Sequence, residues 1–154
     1  MTAPAVAIDL DHVLGDTRPL WRDWLAVAEA VLGIAAEALP ADRGEAAAEL
    51  DRRDAGNWRT LLERFCEERA PVYLRRDAAA SVALRTLSAT GRDVGVFTDA
   101  PEPLARIALE QLGAARRVVA VETGSGALER LLSRLGQDTV VVRNRAELLE
   151  QSAT

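Results

Sequence analysis

Residues 5–17 read AVAIDLDHVLGDT: four apolar residues, Ala5 to Ile8, run into two carboxylates, Asp9 and Asp11, one leucine apart, and Gly-Asp-Thr follows. A short apolar run that stops at a turn signal is the pattern of a strand buried on both faces. With a side-chain period of two, Asp9 and Asp11 are expected to point the same way at the end of that strand. Two acids so placed suit a division of labour in which one carboxylate attacks and the other carries a proton. Left side by side they repel, so a hard, oxygen-liganded cation such as Mg²⁺ is the expected partner.

Three further apolar runs repeat the pattern: VGVF at 94–97, VVAV at 118–121 and TVVV at 139–142. Between them lie helical spacings. Leu104, Ile107, Ala108 and Leu112 stop at Gly113, and Leu128, Leu131, Leu132 and Leu135 stop at Gly136. Residues 81–88, ending at Gly91, read as the helix that feeds the second strand. Strands alternating with helices of this length predict an α/β fold, a doubly wound, mostly parallel, Rossmann-like sheet. In such sheets ligands bind beyond the carboxyl ends of the strands, which places Asp9 and Thr98 at one edge.

Residues 18–80 break the alternation. PLWRDWLAVAEAVLG, ADRGEAAAELDRRD and NWRTLLERFCEERA carry apolar residues at three- and four-residue spacing, with all three tryptophans among them. They predict a helical cap over 18–80, inserted after the first strand of a core formed by 1–17 and 81–154. The tryptophans are expected to pack between those helices, and the tail after Leu149 to fray.

The charge balance is 19 basic against 24 acidic residues, net −5. No global basic field would draw nucleic acid or an anionic membrane. Every basic residue is arginine; the chain has no lysine. Cys66 is alone, so no intramolecular disulfide and no cysteine-built zinc site can form, and no run reaches the length of a membrane span. A cytoplasmic location is the expectation.

AIDLDHVLGDT and VGVFTDAP, in this order around a helical insert, resemble the first two motifs of the haloacid dehalogenase (HAD) superfamily, in its phosphatase-like branch with a cap after the first strand. The resemblance spans essentially the whole chain. It implies that Asp9 is a nucleophile forming an aspartyl-phosphate, that Asp11 is the acid and base, and that Thr98 binds the transferring phosphoryl group. It further implies Mg²⁺ held by the Asp9 carboxylate, the Asp11 backbone carbonyl and Asn144, and contacts to a small phosphorylated metabolite from Thr98, Asp99 and Arg143. A homodimer or a protein partner is compatible with the tryptophan-rich cap.

The second half of the pattern departs from the family. Its third motif is a lysine or arginine, and the corresponding stretch here is AVETGSGALERLL, where Arg130 is expected on a solvated helix face. Its fourth motif is acidic, and here TVVVRNRAELL sets Arg143 and Asn144 in that place. Asn144 offers a neutral oxygen only; Glu147 suits either a ligand role or the first turn of the last helix. Arg143 could replace the missing lysine, or pair with the acids and silence them. His12 is expected to hydrogen-bond to the local backbone. Two functions follow: a phosphate-monoester hydrolase with weakened activity, or a catalytically inactive HAD-fold protein that binds, regulates or assembles.

Overall fold

Strand β1 spans Val6–Asp9, and Val6, Ala7 and Ile8 are wholly buried. A computed structural model describes residues 3–154. Immediately after β1 the chain makes one turn of π-helix, Leu10–Leu14. Helices α1 (Arg18–Leu32), α2 (Arg43–Arg52) and α3 (Trp58–Tyr73) follow, then α4 (Ala78–Ala89) and β2 (Val94–Thr98). The chain continues through α5 (Glu102–Gln111), β3 (Ala120–Thr123), α6 (Ala127–Leu135), β4 (Val140–Val142) and α7 (Arg145–Ala153).

All strand pairings are parallel, in the order β3-β2-β1-β4. Val6, Ala7 and Ile8 sit between Val94, Gly95 and Val96 on one side and Val140, Val141 and Val142 on the other. From β1 the chain crosses to β2 and β3 on one side, and returns to β4 on the other. The carboxyl end of β1 is thus the switch point at which a parallel sheet opens a crevice.

The boundaries follow local chemistry. Helix α1 carries proline in its first turn and closes on Gly33 in the left-handed region, φ 68°. Asp42 and Asp77 cap α2 and α4 by accepting the backbone N–H groups of Glu45 and Ala80. Strand β3 begins two residues later than the apolar run 118–121 suggests, and Val119 stands exposed. The carboxyl terminus also differs from expectation, because α7 continues to Ala153. Gln151 holds it there: its side-chain and backbone oxygens accept from the Arg92 guanidinium at 3.0 and 3.3 Å.

Helices α1 to α3 occupy the interval between β1 and β2. Trp21 and Trp24 lie 5.1 Å apart by ring centroid, and Trp24 and Trp58 6.1 Å, so the tryptophans pack on one another as the pattern suggests. Their cluster is continuous with the sheet's core through Leu62 and Cys66 of α3 and Leu104 and Ala108 of α5. The second face of the sheet is covered by α6, where Leu131 packs with Ala7 and Phe97. Gly95 suits that close contact, since a Cβ there would lie 2.7 Å from Leu131 Cδ1 and force the leucine end to shift.

Candidate active site

At the carboxyl edge of β1 and β2 a cavity of ≈390 Å³ is lined by Asp9, Asp11, His12, Thr98 and Asp99, with Gly124 and the stretch Gly126 to Glu129 contributing another wall. The two acids of the first motif do meet there. The π-turn brings Asp11 to the cavity, where simple strand alternation was the expectation; such single π-turns are frequent at functional sites.

The two carboxylates have different surroundings. Asp9 ends β1 and its Oδ2 lies 2.9 Å from His12 Nδ1. His12 therefore binds the first acid, where a backbone partner was expected, because the π-turn brings residues three apart together. Asp11 is buried and accepts four hydrogen bonds. Its Oδ1 receives the Thr17 backbone N–H and hydroxyl at 2.9 and 2.5 Å, and its Oδ2 receives Arg43 Nη2 at 2.6 Å and the Thr98 hydroxyl at 2.8 Å.

Arg43, from the first turn of α2, is 2 % exposed and organises the cluster. Its Nη2 also reaches Asp99 Oδ1 at 2.8 Å, its Nε reaches the same oxygen at 3.1 Å, and its backbone N–H donates to Asp99 Oδ2 at 2.9 Å. Nη1 donates to the Thr17 hydroxyl at 2.6 Å. Burial pushes the Asp99 carboxyl up, and the hydrogen bonds from the Arg43 side chain and backbone more than offset this, holding it below the usual aspartate range. One guanidinium thus neutralises two core acids and contacts the Thr98 hydroxyl at 3.3 Å.

The neighbouring residues hold α2 in this position. Asp42 Oδ1 accepts both the Glu45 N–H that caps the helix and the Ser125 hydroxyl, at 2.9 and 3.0 Å. Gly44 lies so close to the 124–125 loop that a Cβ would stand 2.2 Å from the Ser125 nitrogen. That loop belongs to the third-motif stretch. Arg130 lies half-exposed over it, donating to the Thr123 and Ser125 carbonyls and pairing with Glu122 at 3.0 Å.

Arg143 and Asn144 lie outside the cavity lining. Arg143 is exposed, its guanidinium 5.9 Å from the centre of the Phe97 ring, and it makes no ion pair with Asp9 or Asp11. Asn144 caps α7: its side-chain oxygen accepts the Glu147 N–H at 2.9 Å and its Nδ2 donates to Glu147 Oε1. Glu147 takes the helix-turn role, its other oxygen accepting from the Arg143 backbone at 2.8 Å.

Of the Mg²⁺ ligands that the resemblance implies, Asn144 does not fit, because its side-chain oxygen is committed to its helix cap. The Asp11 and Asp99 carboxylates are committed to Arg43, so a hard divalent ion, which needs several converging oxygens, would draw on the Asp9 carboxylate and the Asp11 backbone carbonyl. Among the described residues no three His, Cys, Asp or Glu side chains gather as a metal cluster.

Arg43 is the site residue that the motif reading passes over. Its signal lies in helical spacing: Arg43, Ala46 and Leu50 occupy one stripe at three- and four-residue intervals, and all three are buried. A cation on an apolar stripe requires an anionic partner inside the fold.

No protein-family model and no curated protein matches the sequence. Solved structures do. A protein provisionally assigned as a beta-phosphoglucomutase from Thermotoga maritima superposes with a TM-score of 0.57 at 17% identity, covering 98% of this chain and 82% of that one. A HAD phosphatase from Thermococcus onnurineus gives 0.55 at 17% identity, covering 97% of both chains. The chain has the fold of the HAD superfamily. Within this HAD fold, Asp9 and Thr98 occupy the ends of adjacent strands, β1 and β2, with Asp9 paired in register to Phe97. No helix among the described residues is long and apolar enough to cross a membrane.

Proposed function

We propose that the protein is a slow HAD-type hydrolase of phosphate monoesters in which Asp9 is the nucleophile and Arg43 supplies the positive charge that a lysine provides elsewhere in the fold family. The observation that carries this reading is the asymmetry of the strand-end acids. Asp11 and Asp99 are paired to Arg43, while Asp9 faces the cavity and, among the described residues, has a side-chain hydrogen bond from His12 alone.

An Asp9 oxygen attacks phosphorus, the ester P–O bond breaks, and the departing alkoxide takes a proton. The resulting aspartyl-phosphate is cleaved when water attacks phosphorus, releasing orthophosphate and restoring the carboxylate. The Thr98 hydroxyl, which lines the cavity, donates to a phosphoryl oxygen on leaving Asp11, while Arg43, buried behind the lining on Asp11 and Asp99, contributes its positive field rather than a direct contact. Asp11 is the proton carrier of this scheme, and it can serve only when some of its four donors let go. That requirement is the reason for a slow rate. The helices of residues 18–80 act as the cap that governs access, and the substrate is a small phosphorylated metabolite.

The saturation of Asp11 also favours a second reading, an inactive HAD-fold protein that binds a phosphorylated ligand and serves as a regulatory or assembly subunit. A panel of phosphate monoesters, assayed for released orthophosphate with Mg²⁺ and with a chelator, separates the two. Under the hydrolase reading the wild type turns over at least one ester and Asp9→Asn falls to background. Background rates from both proteins in every arm would sink it, and ligand binding that survives in that case identifies the binder.

A further inference from the structure

A second hollow lies apart from the acidic cavity and shares no lining residue with it. It has two lobes. One, of ≈410 Å³, is lined by Arg76, Glu110, Gly113, Arg116 and Arg117; the other, of ≈230 Å³, by Arg76, Arg85, Gly113 and Arg117. Four guanidinium groups from three chain segments therefore converge in a protein whose acids outnumber its bases. None of the four forms an ion pair among the described residues. Asp77, the acid beside Arg76 in sequence, is turned away to cap α4 and to meet Arg145 at 3.5 Å.

The cluster is also partly preorganised. Gly113 has φ +70°, and a Cβ there would stand 2.6 Å from Arg76 Cζ and 2.8 Å from its Nε. The Arg76 guanidinium thus lies close against Gly113, just past the carboxyl-terminal end of α5, where the helix dipole favours a cation. Less side-chain freedom is then lost when a ligand arrives. Four guanidinium groups gathered beside a single carboxylate, Glu110, repel one another, and an anion relieves that repulsion.

We propose that these two lobes form a binding site for a small polyphosphate, a ligand with two or more linked phosphoryl groups. Arg76 and Arg117, common to both lobes, bridge adjacent phosphoryl groups, while Arg116 and Arg85 each hold one end. The planar guanidinium fork matches phosphoryl oxygens two at a time. A nucleic-acid strand fits less well: the lobes present no aromatic side chain on which a base could stack, and the chain as a whole is acidic.

The test is calorimetric titration of the full chain with sodium pyrophosphate near physiological ionic strength, with chelator present. The wild type and Asp9→Asn bind alike, orthophosphate binds about tenfold more weakly, and Arg76→Ala/Arg117→Ala loses about tenfold or more in affinity. Because Arg76 packs on Gly113, the exposed pair Arg85→Ala/Arg116→Ala is measured beside it and shows the same loss with an unchanged thermal midpoint. Absence of pyrophosphate binding to the wild type overturns the proposal. So does wild-type affinity in both arginine variants, loss of binding in Asp9→Asn, or tighter binding of a short oligonucleotide than of pyrophosphate.

Discussion

Arg43 Nη2 stands 2.6 Å from Asp11 Oδ2, joining a helix between β1 and β2 to the acid that follows β1. Both side chains are almost fully buried, at 3 % and 6 % exposure. Removing one partner of such a pair leaves an uncompensated charge, which costs about 3–5 kcal/mol, whereas removing both can be close to neutral. Arg43→Met alone should therefore lower unfolding stability by about 3–5 kcal/mol in urea titrations. Arg43→Met/Asp11→Asn should recover a large part of that loss, because the Asp99 carboxylate it leaves behind is partly solvated. A double variant no more stable than the single one would show that the pair is not the principal tie.

Gly44→Ala tests how α2 docks. Within an ordinary helix this change stabilises by roughly 0.5–1 kcal/mol. Here the new Cβ would meet backbone, 2.2 Å from the Ser125 nitrogen and 2.8 Å from the Gly124 carbonyl carbon, and backbone cannot step aside as a side-chain end can. The steric term should win, giving a net destabilisation of about 1–3 kcal/mol. Hydrogen exchange should quicken in α2 and the 124–126 loop while β1 and β2 keep their protection. A stabilised Gly44→Ala protein would show that α2 does not rest on that loop.

How far the site could be read from the sequence depended on whether each residue's partners were local. The strand-end position of Asp9 and of Thr98 follows from short apolar runs and chain direction, and both residues lie where those runs place them. The boundaries of α1, α2 and α4 were marked by proline, glycine and capping aspartates within a few residues. Arg43 depends on Asp99, 56 residues away, and no local pattern states that pairing. Arg143 and Asn144 show the converse case. Their position after the last strand matched a motif, but Glu147, a few residues on, draws Asn144 into a helix cap and binds the Arg143 backbone. The expected fraying after Leu149 failed for the same reason as Arg43, since the anchor Arg92 is 59 residues distant.

Gly95→Ala and Leu131→Ala should compensate each other. The added methyl would lie 2.7 Å from Leu131 Cδ1 and 2.8 Å from Leu135 Cδ1, an overpacking that costs about 1–3 kcal/mol even after the leucine ends shift. Leu131 is fully buried, so its truncation alone should cost about 2–5 kcal/mol through lost burial and a residual cavity. In the double variant the new methyl occupies part of that cavity, and the combined loss should fall short of the sum by roughly 0.5–3 kcal/mol. Urea denaturation of the four proteins in the cycle measures it, and strict additivity would mean that α6 does not pack on β2 at Gly95.

Acid should loosen the fold at identifiable carboxylates. The hydrogen bonds that Arg59 and Trp58 donate hold the Asp51 carboxyl down to about 2, from an ordinary 3.8. A folded-state pKa below the unfolded one means that the unfolded chain binds the proton more tightly. The stabilisation is thus complete above the unfolded value and disappears as pH falls through the folded one. For Asp51 that window runs from about pH 4 to about pH 2. Asp99, also held below its usual range, acts in the same direction. Because Asp51 is half exposed, solvent screening keeps its share small. Trp58 donates its indole N–H to Asp51 at 2.9 Å, so tryptophan fluorescence should change across this window before global unfolding. In Asp51→Asn that early change should vanish, and in Asp99→Asn the dependence of unfolding stability on pH below 4 should flatten while the fluorescence change persists. An Asp51→Asn protein with an unaltered acid fluorescence profile would show that the Trp58 pairing is not what titrates.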